Sequence, residues 1–124
     1  AALHNLASLP HITVAGATAT GTHGSGGRSG SLSTSVTGLE LVRSDGEVAV
    51  LREGDADFAG SVVHLGALGV VTRLGLRCQP TFDVRTTVYL GLTWDRLAAD
   101  FDAVADAAYS VSVFTDWHEV TQVW

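Results

Sequence analysis

The sequence predicts an α+β fold, because apolar residues recur at two different spacings in different parts of its 124 residues. They alternate in "SVTGLELVRSDGEVAVL" on both sides of Asp45 and Gly46, which is typical of a β-hairpin. They recur at helical spacing in "WDRLAADFDAVADAAY". A mostly β part therefore precedes a part that mixes helix and strand.

The first part contains three further predicted elements. A strand is expected at residues 12–14, since Pro10 disfavours helix for the residue before it. The stretch "GDADFAGSVVHLGALG" predicts a short helix that is capped by Asp55 or Asp57 and ends at one of its last two glycines. The stretch "VVTRLGLRC" then predicts another strand.

The composition changes near residues 79–82, and we place a domain boundary there, with domains at 1–79 and 80–124. The stretch "FDVRTTVYLGL" predicts a strand, and so do "SVSVFTDW" and "TQVW". Thr93 is a suitable N-cap for the helix between them. The apolar stripe of that helix comprises Leu97, Phe101, Val104, Ala105 and Ala108.

Charge and composition exclude several classes of function. The net charge is −6, and the seven basic residues, all arginines, are scattered, so we expect no nucleic-acid partner. The apolar stretches are too short and too interrupted by glycine for a membrane span. Cys78 is the single cysteine, and no histidine pair has zinc-ligand spacing, so we expect no internal disulfide and no metal. The absence of methionine and the apolar end "VTQVW" suggest a segment of a longer protein.

Glycine is concentrated in "GATATGTHGSGGRSG", residues 16–30, which holds six of the fourteen glycines. Such bare backbone lets a phosphate approach several N–H groups at roughly 3 Å. The stretch has no Gly-Lys-Ser/Thr for a P-loop, and Ser29 stands where a dinucleotide fingerprint has its third glycine. A flexible surface loop is the alternative, but the interleaved alanines favour a packed segment.

The stretch "NLASLPHITVAGATATGTHGSG" resembles the central flavin-binding segment of FAD-linked oxidases of the vanillyl-alcohol-oxidase type. Within that family it is most similar to the alditol (xylitol, sorbitol) oxidases and the sugar-lactone oxidases. The resemblance continues through "SDGEV" and "LGALGVVTRLGL" into "AAYSVSVFTDW", and so covers nearly the whole chain. It implies the C-terminal part of a two-subdomain FAD-binding domain at 1–79 and the beginning of an α+β substrate (cap) domain at 80–124.

The resemblance also implies roles for particular residues. Ser8 is expected near the isoalloxazine ring and the substrate hydroxyls. Gly69, Val70 and Val71 match a segment whose backbone meets the adenine end of FAD. The ribityl and pyrophosphate groups are expected to be held by Thr13, Gly16, Thr20, Gly21, Thr22 and His23. His4 and His11 are left open between structural and functional roles, and Arg28 is expected to be a surface residue.

The activity implied by the resemblance is oxidation of a polyol by dioxygen, with FAD as cofactor, giving an aldehyde and hydrogen peroxide. The catalytic base is expected outside this chain, which makes the chain incomplete as an enzyme. A sugar-1,4-lactone oxidase or dehydrogenase of the same family is the close alternative. A non-catalytic β-rich binding module is the alternative from another class. A cytoplasmic location is expected.

Overall fold

The structure is a computed structural model that describes residues 1–9 and 11–124, and it contains two compact units. The first unit comprises Ala1–Gly24 and Gly30–Thr81, and the second comprises Ser25–Ser29 and Phe82–Trp124. The chain therefore leaves the first unit within the glycine-rich stretch and rejoins it six residues later.

A three-stranded antiparallel sheet is the framework of the first unit. Its strands are β1 (Val36–Val42), β2 (Val48–Arg52) and β3 (Val70–Leu76), in the order β2-β1-β3. The hairpin between β1 and β2 turns at Asp45, whose Oδ1 accepts a hydrogen bond from Glu47 N at 3.0 Å. The hairpin predicted around Asp45 and Gly46 and the strand predicted in "VVTRLGLRC" are both confirmed.

The core of the first unit lies between this sheet and helix α2 (Phe58–Val62). Leu39 and Leu41 alternate on the inner face of β1, and Leu41 is only 1% exposed. Phe58 and Val62 cover them from α2. Burial of each such side chain stabilises the fold by roughly 1.5–3 kcal/mol. The predicted short helix is confirmed, with Asp57 at its N-cap position but without a side-chain cap hydrogen bond. Its predicted end at Gly66 or Gly69 is wrong, because the helix ends at Val62.

The predicted strand at residues 12–14 is wrong, because helix α1 (Val14–Ala19) begins there. Thr13 lies at the N-cap in extended conformation, and its Oγ1 accepts a hydrogen bond from Gly16 N at 3.1 Å. Threonine is common in strands, but it is also a preferred helix N-cap, because its hydroxyl can accept a hydrogen bond from the backbone N–H three residues later. Ala17, Thr18 and Ala19 are buried. A 3₁₀ helix (Leu32–Ser35) then leads into β1.

The second unit contains two short helices where the sequence predicts one. They are α3 (Trp94–Ala99) and α4 (Phe101–Ala105), and Asp100 between them has non-helical dihedral angles. The predicted N-cap is confirmed, since Thr93 Oγ1 accepts from Arg96 N at 3.2 Å. Phe101, expected on the buried stripe, is 61% exposed, because the stripe spacing assumes a continuous helix.

Two strands complete the second unit: β4 (Val113–Thr115) and β5 (Val120–Val123). Both strands are predicted by the sequence, and the structure pairs them antiparallel. The predicted strand in residues 82–92 is wrong. That stretch makes only an isolated bridge, between Tyr89 and Val123, because no neighbouring strand runs beside the rest of it. The core of the unit is formed by Leu97, Val120 and Val123.

Helix length and hydropathy decide whether a helix can cross a bilayer. Within residues 1–9 and 11–124, no helix has the length and apolar character needed to cross a bilayer.

The turn between β4 and β5 is held by side-chain oxygens. Asp116 Oδ1 accepts from Glu119 N and from His118 N, both at 2.8 Å. These two hydrogen bonds, of which that from Glu119 has the larger effect, hold the pKa of the Asp116 carboxyl below its ordinary value of 3.8. Trp117, at a φ of 71°, lies at the tip of the turn with its side chain 83% exposed.

The lowered pKa of Asp116 predicts an acid-sensitive turn. A carboxyl whose folded pKa is depressed stabilises the turn above pH 3.8, and this stabilisation is lost as the pH falls through the folded pKa. In an NMR pH titration, the amide shifts of His118 and Glu119 should therefore change with a midpoint below pH 3.8. Asp116→Asn retains an acceptor oxygen without the titration, and should remove this transition. A midpoint at or above the ordinary value would contradict the assignment.

Candidate functional site

The glycine-rich stretch begins as a tightly closed helical turn. Helix α1 ends in a Schellman motif, in which Thr22 N donates to Ala17 O at 2.9 Å and Gly21 N donates to Thr18 O at 3.2 Å. Gly21 occupies the position of this motif that requires a left-handed residue, with a φ of 66°. The bare backbone at Gly21 therefore reverses the chain after α1.

The threonine hydroxyls of this stretch bond to its own backbone. Thr20 Oγ1 donates to Gly16 O at 2.9 Å, and Thr22 Oγ1 lies 3.0 Å from Thr20 Oγ1. Thr18, which is 2% exposed, bonds back to the carbonyl oxygens of Val14 and Ala15. These hydrogen bonds within residues 13–22 therefore fix the conformation of the stretch without a ligand.

The entry to α1 is apolar and exposed. Leu6 and Leu9 are 63% and 64% exposed, and Ile12 and Val14 are 41% and 47% exposed. Ser8 lies among them, also exposed, and its hydroxyl makes no hydrogen bond with another described residue. Large apolar side chains beside a free hydroxyl are the usual composition of a ligand-binding wall.

His23 follows the Schellman motif with its side chain exposed. Its Nδ1 lies 2.9 Å from Gly24 O, and a carbonyl oxygen only accepts, so Nδ1 carries a proton. In the neutral ring, Nε2 is then a hydrogen-bond acceptor that is open to a ligand.

The remaining predicted site residues lie on the sheet. Gly69 precedes β3 and packs directly against the Val42 carbonyl, which leaves no room for a side chain. Val70 is 70% exposed on the outer face, whereas Val71 is half-buried and packs toward the core of the first unit. β3 is an edge strand, so part of its backbone faces away from β1.

Residues 13–23 thus form one continuous segment, and Gly69, Val70 and Val71 form a separate group beside β1. The described residues line two open depressions, of about 210 and 440 Å³, and no predicted site residue borders either of them. Within the same described ranges, no three His, Cys, Asp or Glu side chains are arranged to hold a metal ion.

Comparison with known proteins addresses what this segment belongs to. Residues 1–52 match the family described as FAD binding domain. Residues 1–52 are therefore similar to a segment of an FAD-binding domain. Three relatives are similar to the chain over longer stretches.

The chain is 51% identical over 125 aligned positions to alditol oxidase from Streptomyces sp., covering 99% of this chain and 30% of that protein. It is 40% identical over 90 positions to L-gulonolactone oxidase from Mus musculus, covering 71% of this chain and 20% of that protein. It is 44% identical over 80 positions to L-gulono-1,4-lactone dehydrogenase from Mycobacterium tuberculosis, covering 64% of this chain and 18% of that protein. The chain therefore spans less than a third of the length of these relatives.

These matches confirm the resemblance and FAD as the cofactor. The residues from Leu6 to His23, called below the FAD-binding segment, fit this cofactor, because Leu6, Leu9, Ile12 and Val14 present exposed apolar side chains and uncharged hydrogen-bonding groups follow them. The first N–H groups of a helix have no intrahelical partner, and at α1 they lie next to the exposed Thr13. Where the stretch after Ala15 is exposed, at Gly16 and Thr20, its side chains are small enough for a bulky ligand to approach the backbone.

The sequence missed one group of residues next to the FAD-binding segment. His4 makes hydrogen bonds to Gly30 and Ser35, and Gly24 packs against Asn5 and Leu6. These contacts join residues 18 to 31 positions apart, so no local spacing in the sequence indicates them.

Gly21 provides a test of whether the turn after α1 is needed for FAD. We expect Gly21→Val to destabilise the turn by roughly 1–2 kcal/mol and to lower the flavin content of the purified protein, because a branched residue disfavours the left-handed region. Gly21→Asn should keep most of the flavin, since asparagine tolerates that conformation.

Asp102→Asn, at an exposed position on α4, is the control for flavin that is lost during purification. Flavin content is read from the visible absorption spectrum. Equal flavin content in Gly21→Val and Asp102→Asn would mean that the turn has no part in holding FAD.

Proposed function

We propose that the complete protein carrying this chain is an FAD-dependent oxidoreductase that oxidises a CH–OH group of a polyol with dioxygen as acceptor. The alcohol loses two electrons and two protons to become an aldehyde, and dioxygen gains them to become hydrogen peroxide. The observation that carries the proposal is the 51% identity to alditol oxidase across 99% of this chain. When bound, FAD supplies the acceptor for the hydride of the alcohol.

The role of the chain at the pyrophosphate of FAD is to supply uncharged donors. The segment from Thr13 to His23 contains no lysine or arginine, so many well-aimed N–H and O–H groups must replace a cation. Thr13 Oγ1 accepts from Gly16 N, which leaves its own proton available. The first backbone N–H groups of α1 lie beside it. We assign Thr13 and Gly16 to the pyrophosphate on this basis, Thr13 as an O–H donor and Gly16 as the residue whose missing side chain leaves Thr13 Oγ1 accessible.

The ribityl chain of FAD carries hydroxyl groups that both donate and accept. His23 Nε2, as an acceptor in the neutral ring, suits a ribityl hydroxyl better than a phosphate oxygen. The protons of Thr20 and Thr22 are taken up within the segment, so these residues offer oxygen lone pairs to the same chain. Gly21 acts by reversing the backbone between them.

The adenine end of FAD is assigned to Gly69, Val70 and Val71. The free edge of β3 supports this assignment, because edge-strand N–H and C=O groups can pair with an adenine ring. Val71 then contributes through its backbone, since its side chain packs toward the core.

Ser8 is assigned to the substrate. Its hydroxyl is exposed, and the exposed side chains of Leu6 and Leu9 flank it in the sequence, so a substrate that covers them would bring a polyol hydroxyl within reach of Ser8. The chain would thus orient the alcohol carbon and help exclude water, while the catalytic base would lie elsewhere in the protein.

The finer assignments form part of the same proposal. Residues 1–79 would be the C-terminal part of the two-subdomain FAD-binding domain, residues 80–124 the beginning of the substrate domain, and the protein cytoplasmic. A sugar-1,4-lactone is the second candidate substrate, favoured by the 40% and 44% identities to the two lactone enzymes. Those matches cover 71% and 64% of the chain, which is less than the alditol oxidase match covers.

The test of the proposed function is the absorption spectrum and oxidase activity of the complete protein. We expect a flavin spectrum, and hydrogen peroxide formed in equal amount to the aldehyde when xylitol or sorbitol is added. Acid precipitation separates covalent from non-covalent flavin. Turnover of a sugar-1,4-lactone but not of polyols would favour the second candidate, and a protein without flavin would be a binding module.

Ser8→Ala tests the substrate contact. One lost hydrogen bond to a buried hydroxyl costs roughly 1–3 kcal/mol, so polyol turnover should fall about 5- to 150-fold if the bond is present in the transition state. Bound flavin should be unchanged, because it is held by many donors. An unchanged turnover of xylitol and sorbitol would show that Ser8 does not contact the substrate.

A further inference from the structure

His4 lies at the neck of a loop formed by residues 23–31. Leu32 N donates to Thr22 O at 2.9 Å and closes this neck. His4 Nε2 lies 3.0 Å from the carbonyl oxygen of Gly30, and His4 Nδ1 lies 2.8 Å from Ser35 Oγ. One imidazole therefore joins the end of the loop to the residue that precedes β1.

The partners of His4 determine how its ring bonds. A carbonyl oxygen only accepts, so Nε2 carries the proton and donates to Gly30. In the neutral ring Nδ1 is then an acceptor, and the hydroxyl of Ser35 donates to it. Ser35 is 4% exposed, and a hydroxyl with so little access to water requires a partner. Both ring nitrogens are thus engaged in one defined tautomer.

The backbone around His4 is anchored to the sheet. Ala2 and Gln79 exchange two backbone hydrogen bonds of 2.9 Å, just beyond the end of β3. Arg77 N donates to Ser35 O at 2.7 Å, at the beginning of β1. His4 is therefore supported by the ends of two paired strands.

The residues after His4 contact the other end of the loop. Gly24 packs so closely against Asn5 Oδ1 and the Leu6 carbonyl that no side chain has room there. Residues 4–6 therefore hold both the start of the loop, at Gly24, and its end, at Gly30.

We propose that His4 is a positioning residue for FAD, which acts by holding loop 23–31, which begins at His23, and the adjoining Thr22 in their binding arrangement. This inference rests on the proposed function of the segment. A loop that is ordered before binding loses less conformational freedom when the cofactor arrives. Without the imidazole, loop 23–31 keeps the Thr22–Leu32 bond and the packing of Gly24 on Asn5 and Leu6, but its end at Gly30 loses the link to Ser35.

The test compares His4→Leu and His4→Gln in the complete protein, by titrating the apoprotein with FAD and recording the visible circular dichroism of the bound flavin. His4→Leu should weaken FAD binding about tenfold and change the dichroism, since it removes both hydrogen bonds. The amide of glutamine offers one N–H and one oxygen at a spacing similar to that of the two ring nitrogens. His4→Gln should therefore stay within about threefold of the parent.

Two further variants separate positioning from general stability. Ser35→Ala removes one bond of the pair and should have an intermediate effect on FAD binding, which keeps the test usable where His4→Leu does not fold. Thr93→Ala removes the N-cap of α3 and should lower the unfolding temperature without changing the affinity for FAD.

Parental affinity and dichroism in His4→Leu would overturn the inference. The inference would also be overturned if His4→Gln weakened FAD binding as much as His4→Leu does. A loss of FAD affinity in Thr93→Ala that matches its loss of stability would overturn it as well. Absence of flavin from the unmodified protein would instead overturn the proposed function, so the two failures are distinguishable.

Discussion

The antiparallel pairing of β1 with both of its neighbours is the interaction on which the first unit depends. It buries Leu39 and Leu41 against α2, and each of these is at most 3% exposed. It also brings the beginning of β1 and the end of β3 together, where Ser35 bonds to Arg77. The N-terminal residues attach at that place through Ala2 and Gln79. The sheet therefore anchors the chain on either side of the FAD-binding segment, although none of its strands contains a residue of that segment.

Within the FAD-binding segment, most hydrogen-bonding capacity is used to shape the segment itself. Thr13 caps α1, Thr18 bonds back into it, and Thr20 and Thr22 accompany the Schellman motif at Gly21. A segment that is ordered in this way presents its remaining donors and acceptors in fixed directions, which is what binding without a cation requires. Threonine serves both purposes, because one hydroxyl can bond to the backbone and still face a ligand.

The exposed apolar side chains of Leu6, Leu9, Ile12 and Val14 also indicate a surface that is covered in the complete protein. Leu6 and Leu9 are more than 60% exposed, which is costly unless a cofactor, a substrate or further protein covers them. The relatives are more than three times as long as the aligned segment. On the proposed function, these side chains form one wall of the flavin site.

The sequence by itself determined the features that depend on local chemistry. Alternating apolar residues around Asp45-Gly46 and the cap at Thr93 were enough to predict the hairpin and the helix start at Trp94. The resemblance of the glycine-rich signature to a known family implied FAD as cofactor. The roles of the individual site residues stay predictions. Tertiary structure decided the rest. Residues 12–14 lie at a helix start rather than in a strand, and residues 82–92 have no strand beside most of their length. His4 meets Gly30 across 26 positions. Local spacing cannot encode such outcomes, because they depend on which distant backbone groups the folded chain brings within hydrogen-bond distance.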